Sequence, residues 1–255
     1  MLLAVNARNK VIEFGIFDNK TNKGLFSLST EKMMTSDELS MKICWQLEFL
    51  KLNINDFTDA IISSVEPEVN SVLKRTFERF GLKVMFIAPG IKTGIKLRSD
   101  DPREIGSDRI IDAVAAHELY GTPAIVVSFG TATRFDYIAP DGTFSHAITA
   151  PGLMSSARSL WSDASKLPKV ELKKPKSILA SNTVSSMQSG IMYGFIGLAK
   201  HIVEEMKKEI NLDDIKVILS GQDAHYLEGE LDFVDYYDEM LSMKGLVLIY
   251  EKNKR

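Results

Sequence analysis

The sequence predicts an α/β protein of two lobes built by duplication, and two observations lead there. The first is a rhythm that occurs twice: residues 2–5, 11–17 and 24–29 read as three strands, and so do residues 124–127, 133–138 and 144–149. The second is a succession of helix, strand and helix patterns after each triplet, which completes a β-β-β-α-β-α plan in each half. The lobes are expected at residues 1–115 and 116–255.

Each element carries its own signal. The first triplet turns at Asp18, and the second turns at Asp141-Gly142, a dipeptide that marks hairpins when apolar segments flank it. Thr35, with Glu38 three residues on, forms a capping box ahead of Leu39, Ile43, Leu47 and Leu50. Ala60-Ile61-Ile62 reads as a buried strand. Val69, Val72, Leu73, Phe77 and Phe80 make a second helical stripe, stopped by Gly81 at a C-cap position. Residues 84–87 return as a strand, and residues 109–120 form a third helix on Ile110, Ile111, Val114 and Leu119. In the second half a helical pattern runs over residues 183–210 and a strand over 217–219. Gly190, Gly194 and Gly197 share one face of that long helix. Each weakens it by roughly 1 kcal/mol relative to alanine, so the stripe calls for close backbone contact. Either a helix of the same fold or a second copy of the chain would supply it. Residues 166–177, with Pro168 and Pro175, read as an ordered excursion.

Composition narrows the function. The chain has 255 residues, 45% hydrophobic and 25% charged, with a formal net charge of −3 and no run of one sign. That balance argues against a nucleic-acid or membrane surface. No apolar run approaches the roughly 20 residues of a membrane span. The start lacks the charged flank of a signal peptide, and a single cysteine, Cys44, fits a reducing cytoplasm as a buried apolar thiol. His117, His146, His201 and His225 lack metal-ligand spacing, although His146 is placed to line a cleft. Residues 251–255 are expected as a solvated charged tail.

Two loops are expected to face a cleft between the lobes, residues 6–10 and 128–133, where backbone N–H groups can meet phosphate. In the second, Ser128-Phe129-Gly130-Thr131-Ala132-Thr133 offers a glycine and small residues after a strand. That suits a phosphate loop and also an ordinary tight hairpin. The run Asp101-Pro102-Arg103-Glu104-Ile105-Gly106-Ser107-Asp108-Arg109 packs charges around a glycine before a helix. Asp108 is either a favourable helix N-terminal charge or an acceptor for a substrate proton, with Arg109 pairing a substrate carboxylate.

Resemblance decides between these readings. The stretch from Asp101 to Ile110 is similar to the substrate motif N-P-R-E-x-G-A-D-R of type III pantothenate kinases. The likeness continues through Ile62-Ser63-Ser64-Val65, Pro89-Gly90-x-Lys92-Thr93-Gly94, Gly130-Thr131-Ala132-Thr133, Ala150-Pro151-Gly152, Lys166-Leu167-Pro168 and the run from Asn182 to Gly190. The blocks lie in order over most of the chain. The resemblance implies a duplicated actin-like fold (ribonuclease H-like, of the ASKHA superfamily). It implies transfer of the γ-phosphoryl of ATP to the terminal hydroxyl of pantothenate, the first step of coenzyme A biosynthesis. Asp108 is then the general base, within a substrate segment of Gly106, Ser107 and Arg109. Thr131 and Thr133 fall on the nucleotide side. Thr183 contacts pantothenate from the neighbouring protomer of a dimer. Mg2+ and a monovalent cation, K+ or NH4+, are the implied ions.

The departures from the family pattern gather on the nucleotide side. The family's first loop, D-x-G-N-T-N, is here Asn6-Ala7-Arg8-Asn9-Lys10-Val11, so nucleotide contacts fall to Asn6, Arg8, Asn9 and Lys10. Asn6 replaces the acidic metal position, and Arg8 replaces a glycine in a space meant for phosphate. The second acidic position, associated with the monovalent cation, is Ser128, and the family's next T-T is Thr133-Arg134. Ser99 replaces a tyrosine near the substrate, and Gly221-Gln222 stands for a pair of glycines. The pantothenate side, with Asp108, Arg109 and Thr183, is kept. The expected protein is a pantothenate kinase, as a homodimer or as a heterodimer with an intact family member. The alternative is a non-catalytic subunit that binds pantothenate or coenzyme A.

Overall fold

Six consecutive buried residues, all apolar but Asn6, make β1 (Leu2–Ala7) a central strand. It pairs antiparallel with β2 (Val11–Asp18), which pairs antiparallel with β3 (Thr21–Ser29). On its other side β1 pairs parallel with β4 (Asp59–Ser64), and β4 with β5 (Lys83–Phe86), giving the order β3-β2-β1-β4-β5. β3 closes one edge, and its burial alternates between exposed and half-buried residues along the strand. This computed structural model describes residues 1–99, 101, 104–164 and 166–254.

One face of this sheet is covered by α1 (Ser36–Phe49) and α2 (Pro67–Arg79). The stripe read from the sequence is the stripe that is buried: Leu39, Ile43 and Leu47 with Val69, Leu73 and Phe77, against Leu3, Val5, Phe14 and Ile16. The Thr35–Glu38 capping box forms as expected. Gly81 follows α2 at a φ of 77°, a conformation glycine adopts without a Cβ penalty. Two further helices belong to this unit, α3 (Ser107–Ala115) and α6 (Leu241–Asn253). They cross so closely that a Cβ on Gly245 would stand 2.0 Å from the Ile111 carbonyl oxygen.

The second sheet repeats the plan. β7 (Ala124–Phe129) is buried throughout and pairs antiparallel with β8 (Ala132–Ile138), which pairs with β9 (Thr143–Pro151). β10 (Lys216–Ser220) runs parallel to β7, and the short β11 (Tyr236–Tyr237) and β6 (Lys96–Leu97) take the two edges. α4 (Leu153–Asp163) and α5 (Thr183–Ile210) supply the covering layer, with Ile191, Phe195, Ala199 and Val203 packed on Ile125, Val127 and Phe135. Residues 166–177 carry no helix or strand but insert Val170 and Leu172 into the apolar interior, and the Glu171 carbonyl accepts from Gln188.

Four expectations are corrected. The lobe boundary differs: the chain divides into Met1–Gly94, Ser99–Ala115 and Ser242–Arg255 as one unit, and Ile95–Arg98 with Ala116–Leu241 as the other. The last helix therefore returns to the first unit. The expected charged tail is α6 as far as Asn253, because Leu246, Val247 and Ile249 give it an apolar side to bury. The third helix ends at Ala115 and continues as a wider turn through Tyr120. Cys44 is half-buried, since it stands one residue off the buried stripe of α1, and partial burial raises its thiol pKa. Among the described residues no helix is long and apolar enough to cross a membrane.

Candidate active site

In the first unit the loop between β1 and β2 is a tight hairpin. The Arg8 N–H donates to the Val11 carbonyl at 2.9 Å. Thr30, just past β3, staples it from the side: its hydroxyl donates to the Arg8 carbonyl at 2.7 Å and its N–H to the Lys10 carbonyl at 2.9 Å. The Asn9 and Lys10 side chains are exposed at the tip. Arg8 turns inward instead. Its Nε lies 3.2 Å from Glu13 Oε2, near enough for an ion pair but off the line of a hydrogen bond, and its Nη2 donates to Ser242 Oγ at 2.9 Å. Ser242 Oγ donates in turn to Asp112 Oδ1 at 2.5 Å.

Asn6 faces Glu13 directly across the strand pair, and its amide nitrogen donates to Glu13 Oε2 at 3.2 Å. Its own Oδ1 is buried without a partner. An unpaired buried acceptor costs about 1–3 kcal/mol, so this oxygen is poised for a donor or a cation. Glu13 thus returns to the first-strand position the carboxylate that Asn6 lacks.

The helix bearing Asp108 is hung on the same strand ends. Ser107 Oγ donates to the Ser64 carbonyl at 3.0 Å and accepts from Ser63 Oγ at 2.9 Å. Ser63 pairs with Asn6 in the sheet register, and the Val65 N–H donates to the Ala7 carbonyl at 3.0 Å. A Cβ on Gly106 would lie 2.6 Å from Asp108 Oδ1, so glycine is what allows the carboxylate to fold back over its own helix start. The Arg109 N–H donates to that oxygen at 3.0 Å. Asp112, one turn further along α3, is the residue that reaches Arg8 through Ser242. Ser99 is exposed and donates to the Asp101 carbonyl at 3.4 Å. Pro102 and Arg103 lie outside the described residues.

In the second unit the corresponding hairpin carries Ser128, Gly130, Thr131 and Thr133. Ser128 pairs with Arg134 across the strands, at the register position that Asn6 and Glu13 hold in the first unit. Both are buried, Ser128 at 2% and Arg134 at 8% exposure, and Arg134 Nη2 donates to Ser128 Oγ at 3.1 Å. Thr131 is exposed at the loop tip. Thr133 is fully buried and its hydroxyl donates to the Pro151 carbonyl at 3.0 Å, which places it beneath the loop. Two glycines press backbone against this loop. A Cβ on Gly152 would stand 2.3 Å from the Gly130 oxygen, and one on Gly221 the same distance from the Phe129 oxygen. Thr183, the first residue of α5, is exposed behind an Asn182 cap that accepts from the Ser185 N–H. His146 stacks on Tyr137 at a cavity of about 500 Å³ bounded by Met206 and Glu209. That cavity lies at the other end of β8 from Thr131. No cluster of three metal-binding side chains occurs among the described residues.

Sequence reasoning missed Glu13, Asp112 and Ser242. Asp112 left a signal, as the lone acid in the run from Ile110 to Ala116, and so did Glu13, between Ile12 and Phe14 in a strand. Ser242 left none, because 234 residues separate it from Arg8.

The family model described as type III pantothenate kinase matches residues 2–205. A protein of Agathobacter rectalis named type III pantothenate kinase is 42% identical over 256 residues, covering 100% of this chain and 98% of that one. Another with the same name, from Listeria monocytogenes, is 40% identical over 255 residues, again covering 100% and 98%. Among solved structures, component A of the (R)-2-hydroxyglutaryl-CoA dehydratase of Acidaminococcus fermentans superposes with a TM-score of 0.56 at 12% identity, covering 100% of this chain and 99% of that one. That likeness concerns the fold, which is the duplicated actin-like fold expected from the sequence.

Proposed function

The chain belongs to the type III pantothenate kinase family, and from that premise we infer that it transfers the γ-phosphoryl of ATP to the terminal hydroxyl of pantothenate, with Asp108 as proton acceptor. Full-length identity of 42% and 40% to proteins of that name supports the reaction. The observation that carries Asp108 is its anchorage: Ser107 ties the helix start to Ser63 and Ser64, and Gly106 clears the space that the carboxylate fills. Asp108 takes the hydroxyl proton while that oxygen bonds to the γ-phosphorus. The bond from the γ-phosphorus to the bridging oxygen breaks, leaving ADP and phosphorylated pantothenate, with the proton on Asp108. Arg109, the next residue, is the partner proposed for the pantothenate carboxylate. Asn9, Lys10 and Thr131, exposed at their loop tips, are the groups proposed to meet the nucleotide.

The residues present can be weighed against the two implied ions. A divalent ion carried by ATP would neutralise phosphate oxygens. The first unit offers it the unpartnered Asn6 Oδ1 and the Glu13 carboxylate, a donor set that fits a hard cation. A monovalent ion at Ser128 does not fit. The serine offers one neutral oxygen, and the Arg134 guanidinium already donates to it at 3.1 Å.

Thr183 is assigned to the pantothenate site of a second copy. Gly190, Gly194 and Gly197 are exposed, and a Cβ on any of them would meet nothing within 4 Å. Among the described residues no element uses that close approach, which favours a partner helix from another protomer, identical or related. A kinase of this metabolic class is placed in the cytoplasm, where its ATP is. The test of the reaction is Asp108→Asn. It is expected to lower kcat by about 10²–10⁴ and to leave pantothenate binding within a few-fold. Retained kcat would show that another group accepts the proton.

A further inference from the structure

We propose that Ser242 is a positioning residue that couples the nucleotide hairpin to the helix bearing Asp108, so that each ligand of this kinase changes the affinity for the other. The inference rests on the kinase reading above and adds to it how the two substrate positions communicate. Three observations within one unit carry it. Ser242, in the first turn of α6, accepts from Arg8 Nη2 at 2.9 Å and donates to Asp112 Oδ1, so one hydroxyl joins the hairpin to α3. Ser242 is 4% exposed and Asp112 1%, so the bridge is shielded from water. α3 and α6 cross with backbone against backbone at Ile111 and Gly245, which makes the two helices move as one body.

The hairpin end is fixed just as closely. Thr30 donates to the Arg8 and Lys10 carbonyl oxygens, and Glu13 Oε2 stands 3.2 Å from Arg8 Nε. A phosphate drawn to Asn9 and Lys10 therefore displaces Arg8 with them. The guanidinium carries that displacement to Ser242, because a hydroxyl that accepts from a cation and donates to a carboxylate is held by charge-assisted bonds at both ends. Asp112 lies one helical turn beyond Asp108, so a shift of α3 at Asp112 re-aims the Asp108 carboxylate and Arg109 beside it. The Ser107 anchor at the start of α3 is the pivot. Ser242 touches neither substrate in this account and acts through Arg8 and Asp112.

The measurement is the Kd of pantothenate for the whole protein by calorimetry, alone and with a saturating non-hydrolysable Mg-ATP analogue. A change of at least about fivefold is expected in wild type, and a change under about twofold overturns the proposal. Ser242→Ala is expected to bring the change below about twofold, and Ser242→Thr, which keeps the hydroxyl, to restore it. Arg8→Met breaks the same bridge from the hairpin, and adding it to Ser242→Ala is expected to do no more than either alone. Coupling that persists in either single variant overturns the proposal, because it then passes through the Ser107 anchor or directly between the ligands. A folded Ser242→Thr protein without coupling overturns it as well. A merely structural serine would lower the melting temperature of Ser242→Ala and leave the coupling as it is. Should Ser242→Ala not fold, Arg8→Met alone decides. Turnover of pantothenate with Mg-ATP separates the two readings. Turnover with uncoupled ligands defeats the link and leaves the kinase standing. Coupled ligands with no turnover defeat the kinase reading and leave the link. Failure of either ligand to bind defeats both.

Discussion

At the scale of single residues the molecule is decided by a few close approaches. Gly221 has a φ of 101°, and a Cβ there would lie 2.3 Å from the Phe129 oxygen, with backbone on both sides of the clash. Neither the strain nor the contact can be relieved by rotating a side chain. Gly221→Ala is therefore expected to destabilise the fold by more than about 2 kcal/mol, seen as a lower urea midpoint at unchanged slope. A midpoint equal to wild type would mean that the loop yields freely. Such positions are only half legible in the sequence. Gly221 stands out as one half of an expected glycine pair, but nothing in the chain says that its partner is the carbonyl of Phe129. Arg8 is the reverse case. As a residue in place of glycine it reads as an obstruction to phosphate, whereas it is turned inward by Glu13 and by Ser242, a serine from the last helix. Charge pairing across a strand register can be guessed from a hairpin. Pairing across 234 residues cannot.

Elements are more securely legible than the residues between them, because periodicity belongs to elements. The stripe Leu39, Ile43, Leu47 needs only helical spacing, and the long helix Thr183–Ile210 agrees with the residues 183–210 read from its pattern. α6 escapes because its residues are apolar on most sides, a pattern that does not announce a face. Its tie to the sheet can be measured. Burial and a hydrogen bond with Asp59 push the Tyr250 phenol up to about 12 from an ordinary 10.0. The unfolded chain then loses its proton first. The stability from this tyrosine is complete below pH 10.0 and declines as pH rises towards about 12. Tyr250→Phe is expected to flatten that alkaline loss of stability between these limits. A slope identical to wild type would remove Tyr250 as its source.

α5 carries the second prediction at this scale. Its glycines cost helix stability, and a Cβ on Gly190, Gly194 or Gly197 would meet nothing within 4 Å among the described residues, so replacing one should strengthen the isolated protomer. With the pairing proposed above, Gly194→Leu is expected to melt no lower than wild type as a protomer and to sediment as a single protomer, since the side chain occupies the space proposed for the partner helix. A wild-type protein that itself sediments as a single protomer would defeat the pairing, and a variant that still pairs would move the contact elsewhere.

For the whole molecule, duplication is the most legible property, because two β-β-β triplets with the same turns sit in one chain. The sheets bear it out in their orders, β3-β2-β1-β4-β5 and β11-β10-β7-β8-β9-β6. The repeat conceals the return of the final helix to the first unit, since a lobe boundary drawn from sequence order cannot see a chain that crosses back. The repeat also gives the departures from the family pattern a common form. In each unit the hairpin has exchanged an expected acid for a neutral side chain, and an arginine is at or beside the strand partner. Asn6 and Ser128 hold the same register position in two separate sheets. The segment around Asp108 that keeps the family pattern is hung on Ser63, Ser64 and Ser107.

The decisive measurement is to mix the purified protein with γ-labelled ATP, Mg2+ and pantothenate and follow the label. The expected result is label on the pantothenate hydroxyl with one ADP formed per label moved, and a loss of about 10²–10⁴ in rate for Asp108→Asn with pantothenate still bound. Label that stays on ATP or passes to water would defeat the kinase reading, and an Asp108→Asn protein as fast as wild type would defeat the role given to Asp108.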